Sequence, residues 1–284
     1  MESSLEKLKE RVEQILGKRP NYKGILNFYL RVKEEQEKSR SHLHPKPLSL
    51  RKEWKDLLSQ EGFSLIEKKD FPIDIEASIK LFDSLCGVAQ EANPHLAKQV
   101  SMIREAVRGK RLNLEEIFSG KVKEEKVAEA VGLDQKVFTF LIYQSKKPSI
   151  EEGVEILKKE LEVESWSKGD CPLCGSLPSL ALLRGEGGKR YLRCSYCGFE
   201  WRVDRLFCPF CGNRDQGTLQ YFFGEGEETF RMDTCEKCHQ YLKTIDTRVM
   251  EMSDPELEDI ATLHLDLLAS QKGYQRPVPH PWNP

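Results

Sequence analysis

Eight of the nine cysteines in this 284-residue chain form four Cys-x-x-Cys pairs between residues 171 and 238: Cys171/Cys174, Cys194/Cys197, Cys208/Cys211 and Cys235/Cys238. Each Cys-x-x-Cys turn aims two sulfurs at one point, and two such turns complete a tetrahedral four-thiolate site. Three pairs are followed by glycine, in CPLCG, CSYCG and CPFCG. The chain must often turn back with positive φ after such a knuckle, and glycine adopts that conformation at least cost. The fourth pair reads CEKCH. Histidine is among the non-glycine residues enriched at positive φ, so His239 is read as the residue that closes the knuckle, not as a fifth ligand.

Four pairs can be grouped into two sites in three ways. The intervening segments hold 19, 10 and 23 residues in chain order. A ribbon-type site separates its knuckles by about 15–20 residues, room for a short hairpin. The spacing therefore predicts Cys171, Cys174, Cys194 and Cys197 around one metal ion, and Cys208, Cys211, Cys235 and Cys238 around a second. The ten residues between the sites are too few for a domain linker, so the two modules should pack together. Tetrahedral sulfur sites accept zinc or iron, and spacing does not choose between them. Closed four-thiolate sites are most often structural, which leaves a redox-active iron site as the functional alternative. A thiol–disulfide enzyme is disfavoured because no βαβ pattern surrounds any pair.

Charge narrows the partner class. Formal net charge is −2, with +1 on residues 1–164, +1 on 165–250 and −4 on 251–284. No segment carries the basic surplus of a nucleic-acid binder. Two four-thiolate sites, each with a divalent ion, would add −4. The cations between the knuckles, Lys189, Arg190, Arg193, Arg202, Arg205 and Arg214, are placed to offset that charge. No stretch approaches the roughly 20 apolar residues of a membrane span. The opening MESSLEKLKERVEQ lacks the apolar core of a secretory signal, so the expected location is cytoplasmic, where thiols stay reduced and pairs bind metals in preference to forming disulfides.

The pattern upstream is different. Leu5, Leu8, Val12 and Ile15, then Ile25, Phe28, Tyr29 and Val32, then Ile75, Ile79 and Phe82, then Leu96, Val100, Ile103 and Val107 recur at helical steps. These stripes are read as core, with the lone Cys86 among them. Prolines near 45, 47, 72 and 94 mark breaks. Asp134 is an expected cap for QKVFTFLIYQ, and Ser149 with Glu152 forms a capping-box pattern before GVEILKKEL. His42 and His44 flank a proline-rich bend and are read as loop residues. Beyond residue 165, KRYLRCS, FEWRVDR and TLQYFFGE read as short antiparallel strands. Asp254 with Pro255 should start a helix through SDPELEDIATLHLDLLASQKGY, and the tail QRPVPHPWNP should run extended. The fold class is thus an N-terminal helical domain (1–164), two tandem rubredoxin-like or zinc-ribbon modules of small metal-stapled β-structure (165–250), and a C-terminal helix with a proline-rich tail (251–284).

The segments CPLCGSLP, RYLRCSYCGFEWRVDRLFCPFCGN, DTCEKCHQYLKTID and IATLHLDLLASQKGYQR resemble the FdhE-type formate dehydrogenase accessory proteins, over residues 171–276. The resemblance implies a cytoplasmic accessory protein, not an enzyme. It implies iron in the eight-cysteine modules, with zinc possible by chemistry, and action on the catalytic subunit of an exported molybdenum- or tungsten-dependent formate dehydrogenase before export. The residues agree in one respect: no nucleophile–base set, glycine-rich phosphate loop or paired catalytic carboxylates can be placed by motif. The joint CGFEWRVDRLFCPFCG carries more aromatic residues and arginines than stapling needs. Arg202 and Arg205 are the candidates there for partner contact, with Trp201 and Phe207 either packed between the modules or facing the partner. Alternative functions are a rubredoxin-like electron carrier and, against the charge balance, a zinc-ribbon nucleic-acid binder.

Overall fold

The structure is a computed structural model describing residues 4–44, 62–161, 166–250 and 254–282. The chain divides into two compact units: residues 1–49, 69–155 and 281–284 in one, and 50–68 and 156–280 in the other. The expected domain division at 164/165 and the breaks near Pro45 and Pro47 lie outside the described residues.

The first unit is helical. It contains α1 (Ser4–Lys18), α2 (Lys23–Arg40), α3 (Ile75–Ala92), α4 (Pro94–Arg108), α5 (Leu114–Phe118), α6 (Glu124–Val131) and most of α7 (Gln135–Leu157). The stripes that give these helices their pattern are the ones that go inside: Leu8, Val12 and Ile15 of α1, and Leu96, Val100 and Ile103 of α4, are all buried. Asp74 caps α3 through Ala77 N (3.0 Å), and Asn93 caps α4 through Leu96 N (2.9 Å), with Pro94 at the first helical position. Cys86 is core, and burial pushes its thiol up to about 12.

One expectation fails here. Ser149 does not begin a new helix, because α7 runs unbroken through Pro148. A proline inside a helix strands the carbonyl four residues earlier. That carbonyl, Gln144 O, accepts from Gln36 Nε2 of α2 at 2.8 Å. Gln36 and Gln144 are both buried, so the substitute bond satisfies a group that water cannot reach. Ser149 instead accepts at its hydroxyl from Asp74 N, at 3.2 Å. The end of the proline-rich tail, at residues 281–282, belongs to this unit. Trp282 is buried, with its ring edge-on to Tyr29 and Phe140, each at 5.0 Å between centroids, and to Phe28 at 5.9 Å.

The second unit is built on one six-stranded sheet, ordered β3-β2-β1-β6-β5-β4. Its strands are β1 (Pro178–Arg184), β2 (Lys189–Cys194), β3 (Glu200–Val203), β4 (Leu219–Phe223), β5 (Phe230–Cys235) and β6 (Gln240–Asp246). Each metal-type module is an antiparallel three-stranded meander. The two are fused by parallel pairing of β1 with β6, Leu180 opposite Lys243 through Leu183 opposite Asp246. The packing anticipated from the ten-residue joint therefore takes the form of a shared sheet. One face presents Leu180, Leu182, Phe230, Met232, Tyr241 and Ile245 to Leu265 and Ala269.

These last two residues belong to the C-terminal helical segment, which is interrupted. Asp254 caps α8 (Pro255–Ala261), accepting from Glu256 N and Leu257 N, and α9 (Leu263–Gln271) follows. The break is Thr262, whose carbonyl accepts from Lys243 Nζ at 3.1 Å. Lys243 lies two residues from both Tyr241 and Ile245 along β6, so it shares their face and meets the same apolar layer. It is buried there, with Asp259 Oδ1 at 2.7 Å and Asp266 Oδ2 at 2.8 Å. Arg276 joins both carboxylates, at 2.6 Å to Asp259 and 3.0 Å to Asp266, and His280 lies 3.2 Å from Asp259. Burial by itself would raise the Asp259 pKa, but Arg276, Lys243 and His280 outweigh it and hold that carboxyl well below the usual range.

Candidate metal centres

All four knuckles repeat one local geometry. The residue after each pair donates its N–H to the carbonyl of the first cysteine: Gly175 to Cys171 (2.8 Å), Gly198 to Cys194 (3.2 Å), Gly212 to Cys208 (3.0 Å) and His239 to Cys235 (2.8 Å). All four closing residues have positive φ, at 70°, 73°, 74° and 53° respectively. His239 thus takes the part of the missing glycine, as its residue type suggests.

The knuckles come together in sequential pairs. Cys171, Cys174, Cys194 and Cys197 form one group, and Cys208, Cys211, Cys235 and Cys238 the other, with the sulfurs of each group within 4.8 Å of one another. In the first group Cys171 lies 3.8 Å from Cys197, and Cys174 lies 3.5 Å from Cys194 and 3.7 Å from Cys197. In the second, Cys208–Cys238 and Cys211–Cys235 are each 3.7 Å apart. A metal–sulfur bond of about 2.3 Å gives a tetrahedron with edges of about 3.8 Å. A disulfide needs about 2.05 Å. The sulfurs are spaced for an ion, not for a covalent bridge.

Electrostatics agree. In the first group burial raises the Cys171 thiol, while hydrogen bonds from Cys171, Cys194 and Cys197 drive the Cys174 sulfur strongly towards thiolate. Four thiolates this close repel each other unless a cation lies among them. In the second group burial would raise Cys235, but backbone N–H groups of Cys238 and Lys237 and the Asn213 amide bring it down to about 7. The residues present thus suit a tetrahedral divalent ion in each group, held by four protein ligands. Among the described residues no other set of His, Cys, Asp or Glu is arranged for a metal, His42 and His44 included.

The residues matching the central domain of FdhE are 170–205, and those matching its C-terminal domain are 207–282. Residues 170–282 thus resemble the central and C-terminal domains of FdhE, taken in order. Each FdhE domain brackets one four-cysteine group, and the joint between them is Leu206. An FdhE homolog of Aquifex aeolicus is 28% identical over 268 residues, covering 93% of this chain and 90% of that protein. One from Haemophilus ducreyi is 32% identical over 151 residues, covering 52% of this chain and 48% of that protein. The crystal structure of the FdhE protein from Pseudomonas aeruginosa has the same fold, with a TM-score of 0.72 at 24% identity, covering 99% of this chain and 96% of that one.

Between the two matched domains the joint residues separate cleanly. Trp201 is buried and donates Nε1–H to Lys168 O at 3.2 Å, and Phe207 is also buried. Both pack inside. Arg202, Arg205 and Leu206 are exposed. Three of the six cations expected to offset the thiolates pair with carboxylates: Arg190 with Asp233 (3.0 Å), Arg193 with Glu200 (3.1 Å) and Arg214 with Asp204 (2.5 Å). Arg190 also donates to Phe207 O at 2.7 Å, steadying the chain just before Cys208.

Sequence reasoning missed one component of the first centre. Leu65 N and Ile66 N donate to Pro172 O (2.8 Å) and Leu173 O (3.0 Å), laying residues 62–68 over the first knuckle. Lys68 sits 5.2 Å from the Tyr196 ring of the second knuckle. Leu65 and Ile66 are buried there. The short apolar run FSLI was the only trace of this strap, and nothing in it names its partner.

Proposed function

We propose that the chain is an accessory protein in formate dehydrogenase assembly. In this reading it holds two metal ions in its four-cysteine sites, acts in the cytoplasm, and binds the immature catalytic subunit through a surface that includes the metal modules. The observation that carries this reading is the coincidence of the FdhE domain matches, residues 170–282, with both four-cysteine groups. Each group supplies four protein ligands and leaves no open coordination position, as structural and not catalytic sites do. The chain is accordingly read as no enzyme. Iron is the proposed metal, and anaerobic purification followed by metal analysis and a visible spectrum separates it from zinc. The exposed Arg202, Arg205 and Leu206 lie at the joint of the two modules and are the proposed contact, arginine being enriched at interaction hot spots.

Co-purification tests this. The Arg202→Ala, Arg205→Ala double variant should keep its metal content and fold but retain the catalytic subunit more weakly, by about 1–3 kcal/mol. Unchanged retention would move the contact elsewhere on the protein. Failure of the wild type to retain the subunit in either its immature or mature form would sink the assembly reading.

A further inference from the structure

The two four-cysteine groups differ in how far solvent reaches them. In the first, all four cysteines are buried, at 0–5% exposure. The strap of residues 62–68 is hydrogen-bonded to the carbonyls of Pro172 and Leu173, between the two cysteines of the first knuckle. In the second group Cys208 and Cys235 are buried, but Cys211 is exposed and Cys238 half-exposed. The residues beside Cys211 leave this edge open: Gly212 and Arg214 are exposed, and Phe210 is only half-buried.

We infer that the two centres have different tasks: the Cys171/Cys174/Cys194/Cys197 centre is a locked structural ion, and the Cys208/Cys211/Cys235/Cys238 centre exchanges its ion through the Cys211 edge with an incoming soft donor ligand. This rests on the reading that both groups hold metal. The physical reason is access. A competing ligand must reach the ion before a metal–sulfur bond can be replaced. At the second centre it can approach beside Cys211 without any movement of backbone. The Cys211 sulfur leaves as thiolate and takes a proton from solvent, while the incoming donor supplies the replacing bond. At the first centre the strap must lift first, and its two backbone hydrogen bonds, at ordinary net strength, make that opening about thirtyfold rarer.

The experiment uses full-length protein loaded with two equivalents of zinc. Excess 4-(2-pyridylazo)resorcinol is added, which both takes up released zinc and reports it by its colour, and thiols are pulse-labelled with iodoacetamide for peptide mass spectrometry. The expected release is biphasic, one equivalent per phase and the phases at least about tenfold apart. Cys211 and Cys238 should be labelled in the fast phase, and Cys171, Cys174, Cys194 and Cys197 only in the slow one. A Leu65→Gly variant, which strips the strap's buried anchor, should quicken the slow phase and leave the fast one alone. Single-phase loss of two equivalents, or early labelling of the first group, overturns the inference while leaving metal binding intact. Protein that takes up no zinc at either group overturns the metal reading itself.

Discussion

Replacing Lys243 with methionine should cost the protein about 3 kcal/mol, the lower end of the range for breaking a buried ion pair. Lys243 Nζ is fully buried and touches Asp259 Oδ1, Asp266 Oδ2 and the carbonyls of Asp259 and Thr262. Methionine fills nearly the same volume, so the loss is electrostatic and not a cavity. It is moderated because Arg276 still pairs with both carboxylates and Tyr241 still donates to Asp266 at 2.8 Å. It is aggravated because the Thr262 carbonyl at the α8–α9 break loses its lysine donor. A loss of about 3 kcal/mol is a large part of the 5–15 kcal/mol available to a typical domain. Urea unfolding of metal-loaded wild type and variant, followed by tryptophan fluorescence, measures it. The pH dependence supplies the sign. The Asp259 pKa is depressed in the folded state, so its contribution is complete above the unfolded carboxylate value of about 4 and is lost as pH falls below it. Removing Lys243 raises that folded pKa, so the gap between the two proteins should shrink as pH falls through this region. Metal loss in acid affects both proteins and drops out of the difference. A change under about 1 kcal/mol at pH 7 would refute the argument, since it would mean that Arg276 alone neutralises both aspartates.

Three further outcomes follow from the same contacts. Cys194→Ser should reduce bound metal from two ions per chain to about one, because it removes a ligand from the first group only; a variant that keeps two would show the ligand set to be wrong. Trp282→Ala should lower the stability of the helical unit by about 2–4 kcal/mol, read from the thermal melt at 222 nm, as the tail's one buried aromatic leaves Phe28, Tyr29 and Phe140. Gln36→Leu should cost about 1–3 kcal/mol by orphaning the Gln144 carbonyl, and Pro148→Ala in the same chain should recover part of that loss, since alanine at that position restores the helical N–H donor; additive effects would disprove the coupling.

The sequence by itself determined the parts whose cause is local. A Cys-x-x-Cys turn needs a positive-φ residue after it, and that requirement shows in Gly175, Gly198, Gly212 and His239. The lengths between pairs restrict which knuckles can meet, so both four-cysteine groups are legible from spacing. Helical stripes such as Leu96, Val100 and Ile103 announce their own burial, and Asp254 its own cap. What only the tertiary structure decided involves partners distant in the chain. Pro148 and Ser149 look like a helix boundary until Gln36, more than a hundred residues earlier, supplies the donor that proline removes. QYLKTID looks like an ordinary strand, and Lys243 like a solvated residue, until Asp259, Asp266 and Thr262 close around it. Trp282 reads as part of a loose tail until three aromatic rings receive it. Residues 62–68 carry no motif, yet they shelter the first centre while Cys211 of the second stays exposed. A short-range pattern reports the conformation a residue prefers, whereas the burial of a charge, a lone carbonyl or a sulfur depends on which distant segment arrives to cover it.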